Sequence, residues 1–146
     1  MLTEKLDRLL MYLAGKGVTE FYCGGALGFD TLAEEAVLRL KEKTPYVRLH
    51  LILPSPDQAA RWRSSEQTHY RELLEQATDV EYVADRYSVD AIFERNRRLV
   101  DYTGLCVCYQ THSGGGTDFT VGYARKRGKA VIQMSQPLNL PASADS

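Results

Sequence analysis

Val47-Arg-Leu-His-Leu-Ile-Leu53, closed by Pro54 and Pro56, is the clearest strand of this chain. Its leucine-rich run stops where proline removes a backbone donor. Residues 49–53 are almost continuously apolar, which suits a strand buried on both faces. On either side the spacing turns helical. Ala33, Ala36, Val37 and Leu40 form an apolar stripe upstream, and Tyr70, Leu73, Leu74 and Ala77 form another downstream. A strand entered from one helix and left into another calls for crossovers, the connection that parallel strands need.

The same alternation runs through the rest of the chain. Leu6, Leu9, Leu10 and Leu13 mark a first helix, stopped by Gly15 and Gly17, and Thr19 to Cys23 reads as a short strand halted at Gly24-Gly25. Asp30 or Thr31 is placed to cap the next helix, and Thr31-x-x-Glu34 has capping-box spacing. Ser64-x-x-Gln67 marks the entry of the helix after the 47–53 strand. There follow a weak strand at Val80–Val83, a helix over 89–102 capped by Ser88 and a strand over 104–109. A helix from Thr117 to Arg127 and a strand at Ala130–Met134 complete the series. This order predicts an α/β three-layer sandwich with a Rossmann-like, mostly parallel sheet of about five strands. Residues 1–136 are expected to form the domain, and 137–146, rich in Pro, Ala and Ser, a flexible C-terminal tail.

At 146 residues, 44% hydrophobic and 25% charged, the chain has one domain's worth of ordinary globular composition. Eighteen basic against nineteen acidic residues give a net charge of −1, so no global positive field attracts nucleic acid or an anionic membrane. Any anion must be held locally. A strip of Arg61, Arg63, Arg95, Arg97 and Arg98 is the one arrangement that would favour single-stranded DNA. Cys23, Cys106 and Cys108 are too few for a disulfide framework and read as core residues. With no spanning-length apolar run and no charged start before one, a reduced cytoplasmic location away from membranes is expected.

Three features fall where such sheets bind ligands, beyond the carboxyl ends of the strands. Gly24-Gly25-Ala26-Leu27-Gly28-Phe29-Asp30 leaves a strand and opens a helix. Glycines allow close backbone approach, and a helix start offers N–H groups to a phosphate or carboxylate. A plain tight turn with Asp30 as its cap is the competing explanation. Ser113-Gly114-Gly115-Gly116-Thr117 repeats the arrangement, with His112 beside it as a weak candidate acid, base or ligand. Neither loop is a P-loop or a G-x-G-x-x-G turn. Thirdly, Arg95 and Asn96 stand three and four residues after Ile92, on the apolar stripe of their helix. Either Arg95 meets an anion while Asn96 holds the loops, or the pair is structural, for instance Asn96 holding a loop carbonyl. Arg97 and Arg98 read as solvated charge. Arg61-Trp62-Arg63 could stack on a base, and serves a helix edge or subunit contact equally well. His50 and His69 receive no role. No pair of carboxylates and no metal-ligand cluster stands out, which weakens hydrolytic or metal-assisted chemistry.

Together these residues resemble the YpsA group of the SLOG superfamily, Rossmann-like domains that include DNA-processing protein A and the LOG proteins. The resemblance is carried by Gly24 to Ala33, by Gln58 and Trp62, by Arg95-Asn96-Arg97 with Asp101, and by Gly115-Gly116-Thr117 with Ala124. It covers residues 1 to about 134. It implies a nucleotide or nucleotide-derived ligand held by Gly24, Gly25, Ala26, Gly28, Asp30, Arg95, Asn96, Gly115, Gly116 and Thr117. It also implies assembly into homo-oligomers. A sensor or regulatory binding module is the leading expectation; a LOG-like phosphoribohydrolase and a single-stranded DNA binder are the alternatives. No catalytic residue, cofactor or metal is assigned. Two departures stand out. Relatives usually begin with a further, central strand, whereas this sequence starts at the helix after it. LOG enzymes carry a glutamate where this chain has Thr120, so the hydrolase reading lacks its acid or base.

Overall fold

The structure, a computed structural model, describes residues 1–111 and 115–140. His112, Ser113 and Gly114 of the second glycine loop, and residues 141–146 of the expected tail, lie outside the described residues. Helices and strands alternate as α1 (Leu2–Gly15), β1 (Glu20–Cys23), α2 (Phe29–Lys43), β2 (Arg48–Leu53) and α3 (Ser64–Gln76). They continue as β3 (Asp79–Tyr82), α4 (Val89–Asp101), β4 (Leu105–Cys108), α5 (Gly115–Lys126) and β5 (Ala130–Gln133). The expected element order holds, with boundaries moved by a residue or two.

All pairings are parallel. Glu20 pairs with Arg48 and Cys23 with Leu51, while His50 pairs with Asp79 and Leu53 with Tyr82. On the other side Leu105 pairs with Ala130 and Cys108 with Gln133. The five strands do not form one hydrogen-bonded sheet, however. They make two, in the orders β1-β2-β3 and β4-β5. The edge strands β1 and β4 line one cleft of about 950 Å³. The chain crosses from one half to the other between β3 and β4, which makes this cleft the point where the winding reverses.

Alternation along β1 and β2 divides the two faces. Phe21, Cys23, Leu49, Leu51 and Leu53 join Leu6, Leu9, Leu10, Ala36, Val37 and Leu40 in one core beneath α1 and α2. Leu49, Leu51 and Leu53 are wholly inaccessible, each contributing about 1.5–3 kcal/mol by burial. On the opposite face Tyr22 meets Tyr102 at the end of α4, ring centroids 5.9 Å apart, and α4 packs on α5. Helices on both faces give the three-layer sandwich that the alternation predicts. Of the segment expected as a tail, Leu138 and Leu140 lie against the core.

His50, left without a role by its sequence context, ties three strands together. Its ring nitrogens hydrogen-bond Glu20 Oε1 and Asp79 Oδ1, each at 2.8 Å, and the ring stacks on Tyr22 at 4.5 Å. Burial alone would depress the imidazole pKa, but the two carboxylates outweigh it and hold it above 6.5. The His50 hydrogen bond also holds Glu20 below 4.5. The histidine's contribution is therefore complete below pH 6.5 and fades as pH rises through its raised value. Glu20 contributes above 4.5 and loses its effect in acid. His50→Gln should cost about 1 kcal/mol near pH 5.5 and flatten the fall of melting temperature as pH rises above 6.5. An unchanged pH slope in thermal unfolding would contradict this ladder.

Candidate functional site

The turn from β1 into α2 is held from within. Gly28, at φ +90°, precedes α2, and no side chain caps the helix's first turn. The capping box expected from Thr31-x-x-Glu34 does not form. Asp30 Oδ2 instead accepts from the Ala26 N–H at 3.1 Å, and the Thr31 hydroxyl donates to Ala26 O at 3.2 Å. Glu34, one helical turn beyond Asp30, accepts from the Gly25 N–H at 2.9 Å. Two loop amides expected to face a ligand are thus satisfied by the chain's own carboxylates. Those at the start of α2 have no capping side chain.

Gly25 is where glycine is required. Its φ is +71°, and a Cβ there would collide with Cδ2 of the wholly buried Leu53. Gly25→Ala should destabilise the fold by about 2–3 kcal/mol, from overpacking added to left-handed strain. Gly116→Ala, with nothing within 4 Å of the added Cβ, should change chemical denaturation by less than about 1 kcal/mol. Equal losses for the two would remove the distinction.

Arg95 is buried at 6% exposure. Its Nη1 donates to the Gly24 carbonyl, and its Nε donates to Asn96 Oδ1 at 2.7 Å. The roles suggested for the structural alternative are reversed: the arginine holds the loop carbonyl, and the asparagine orients the arginine. Arg97 bonds Glu94 at 3.1 Å, and Arg98 bonds Glu94 and Glu81 at 3.0 and 2.7 Å. With Arg95 inside and these two paired, the five arginines of the expected DNA strip do not form a free cationic surface.

A pair of carboxylates is present after all, Glu34 buried and Asp30 half-buried. Asp30 and Glu34 sit four residues apart on α2. Burial raises Asp30 while the Arg95 guanidinium pulls it back, and burial together with the Asp30 charge pushes Glu34 up to about 9. One buried cation offsets one carboxylate, and Glu34 is held as a neutral acid at neutral pH. The two face different spaces. Asp30 lines the cleft with Arg95, whereas Glu34 lines a separate cavity of about 440 Å³ with Trp62 and Tyr70. Gln58 Nε2 links Tyr70 Oη at 3.2 Å to Gly25 O at 3.4 Å, and Trp62 packs edge-on to Tyr70 at 5.0 Å. These residues buttress the glycine turn from behind. Sequence spacing held the signal for Glu34, which stands four residues after Asp30 and three before Val37 on the inward stripe.

On the far side of the cleft, Gly115 and Gly116 begin α5 rather than preceding it, with Gly115 at φ +84°. Gly116, Thr117 and Thr120 line the same cleft as Gly24, Ala26, Asp30, Arg95 and Asn96. Gly25 and Gly28 line the cavity behind the turn. Phe29 stacks on Tyr109 at 6.0 Å, bringing the start of α2 to the end of β4. Thr120, at the LOG glutamate position, donates its hydroxyl to Gly116 O at 3.0 Å. Cys106 and Cys108 are free thiols, and burial raises the Cys106 pKa to about 11. Among the described residues no group of three His, Cys, Asp or Glu side chains is arranged to hold a metal ion. No described helix is long and apolar enough to cross a membrane.

Parallel strands wound in opposite directions from a cleft, with a glycine turn and a helix start at its rim, define a Rossmann-like α/β domain. Within that class, the profile of the YspA SLOG family matches residues 1–136, and the chain belongs to this family. A UPF0398 protein of Halalkalibacterium halodurans is 28% identical over 127 residues, covering 85% of this chain and 67% of its own length. One from Bacillus pumilus is 31% identical over 120 residues, covering 80% and 64% respectively. The chain thus spans about two thirds of the length of these curated relatives.

Proposed function

We propose that this domain binds a nucleotide-derived, anionic small molecule at the rim of the cleft between β1 and β4, as a sensing or regulatory module. One observation carries the reading. Residues from three separate segments, Gly24, Ala26 and Asp30 in the first, Arg95-Asn96 in the second and Gly116-Thr117 in the third, line a single cleft at the carboxyl ends of parallel strands. The starts of α2 and α5 offer N–H groups and the positive ends of two helix dipoles. The buried Arg95 adds a fixed cation, largely balanced by Asp30, so recognition falls mainly on backbone donors.

A phosphoribohydrolase is the weaker reading. Thr120 has no acid–base capacity at neutral pH, and Glu34, with its pKa pushed up to about 9, lines the separate cavity behind the turn. Calorimetry across AMP, ADP, NAD, ADP-ribose and inorganic phosphate tests the proposal. It expects saturable binding by at least one organic phosphate, weakened about tenfold by Asn96→Ala, a loss of about 1.4 kcal/mol. Silence across the panel from folded protein would reject it, and release of free base from a nucleotide would restore the enzymatic alternative.

A further inference from the structure

We infer that the cavity of about 440 Å³ behind the glycine turn is a second binding site, which takes a small uncharged aromatic molecule carrying a hydrogen-bond acceptor. Its walls come from α2 and α3, with the turn after β1 and Trp62 completing the lining. Buried Glu34, Tyr70 and Leu73 form its floor, and exposed Leu27, Gly28 and Ser65 mark its mouth. The volume lies within the range of small-molecule sites, about 300–1,000 Å³. Such sites are mainly apolar with a few convergent polar groups, and this one has that form.

Two groups on the floor hold protons that lack an acceptor. Glu34 Oε2 takes the Gly25 N–H at 2.9 Å, while Oε1 has no hydrogen-bond partner among the described residues. Every fully enclosed side-chain oxygen or nitrogen among those residues has a partner, so Oε1 is not sealed in the core and opens on the cavity. With the carboxyl pushed up to about 9, its proton belongs on that free oxygen at neutral pH. Tyr70 Oη accepts from Gln58 Nε2 at 3.2 Å, which leaves its own hydrogen without an acceptor among the described residues. Burial pushes the phenol up to about 12, so that hydrogen stays. Both side chains gather at one point: a Cβ on Gly25 would stand 3.6 Å from Tyr70 Cε1.

These donors select the guest. An ammonium only donates, so it would leave both O–H groups unmatched. An anion would meet no lysine or arginine in the lining and would face Glu66. A carbonyl oxygen or ring nitrogen on an uncharged molecule accepts from an O–H without burying a charge. Trp62 and Tyr70, edge-on at 5.0 Å, give an aromatic body its ring partners. The charged and titratable groups around Glu34 are Asp30 and Glu35 on α2, Cys23 on β1, Arg95 on α4, and Glu66, His69 and Tyr70 on α3. Cys23 and Tyr70 are both raised, Arg95 stays a cation, and His69 is tied to Glu35 at 2.8 Å. A change in binding near pH 9 therefore reports Glu34.

The test titrates the full chain with benzamide, benzylamine and benzoate, probes of one size that differ in charge, and with naphthamide as a larger uncharged guest. Shifts of the Trp62 indole N–H and the Gly25 amide are followed by nuclear magnetic resonance. At least one of the two uncharged amides should bind saturably and move both signals, with benzylamine and benzoate at least about tenfold weaker. Trp62→Ala should weaken that binding about tenfold, and Tyr70→Phe about threefold. Glu34→Gln, whose amide accepts from Gly25 and still donates, should hold the affinity within about threefold at pH 7. It should also abolish the roughly fourfold loss expected of the parent between about pH 7 and 9.5. Silence from both uncharged amides, tighter binding of benzylamine, or affinity unchanged in Trp62→Ala and Tyr70→Phe overturns the inference. No probe carries a phosphate, so either result leaves the nucleotide proposal to its own calorimetric test.

Discussion

Arg95→Met is expected to cost about 3 kcal/mol at pH 7, because it leaves enclosed polar groups without the charged donor that satisfies them. At this chain length that lowers the thermal midpoint by roughly 10 °C or more. Methionine fills much of the arginine's volume, so the loss is electrostatic and not a cavity effect. Three consequences make the case specific. The Gly24 carbonyl loses the donor that holds it, Asn96 loses its partner, and the half-buried Asp30 loses the cation that offsets its charge. The penalty should shrink in acid, where Asp30 takes a proton, and Asp30→Asn in the Arg95→Met background should recover part of it. A loss below about 1 kcal/mol at pH 7 in urea unfolding, or no recovery with Asp30→Asn, would show that the guanidinium does not anchor this turn.

Glu34→Gln has the opposite sign. The carboxyl titrates near its ordinary 4.5 when unfolded and at about 9 when folded. Between those values the folded state keeps a proton that the unfolded state has released, so stability falls as pH rises. Each pH unit in that window costs up to about 1.4 kcal/mol. Glutamine can still accept from the Gly25 N–H, and it removes the titration. The variant should therefore match the parent near pH 4.5, exceed it by on the order of 2–4 kcal/mol at pH 7.5, and show a flatter stability profile between. Loss of stability at pH 7.5 would mean that an ionised Glu34 is held by a cation.

The contrast between these two residues shows what the chain discloses before it folds. Element order was legible because alternating 3.6-residue stripes and short apolar runs are local properties. The opening between β1 and β4 was indicated only by the resemblance, since strand pairing is set by contacts far apart in sequence. Arg95 announced itself as a charge on an apolar stripe. Glu34 did not, because Thr31-x-x-Glu34 also satisfies a capping pattern, and local spacing cannot say which backbone N–H a carboxylate will reach. In the fold its partner is the buried N–H of Gly25, from across the turn. His50 was obscure for a related reason: both of its carboxylates come from neighbouring strands. The glycines divided by environment. Gly25 is fixed by Leu53 behind it, whereas a Cβ at Gly116 would meet nothing within 4 Å among the described residues.

The proposal rests on three segments, remote in sequence, acting as one binding rim. Amide chemical-shift mapping by nuclear magnetic resonance during titration with ADP-ribose, or whichever panel member binds, addresses this in one spectrum series. The expected result is a single set of saturating shifts shared by the amides of residues 27–31, the Asn96 side chain, and Gly116 and Thr117. Shifts confined to one of these segments, or gathered around Glu34, Trp62 and Tyr70 behind the turn, would contradict it.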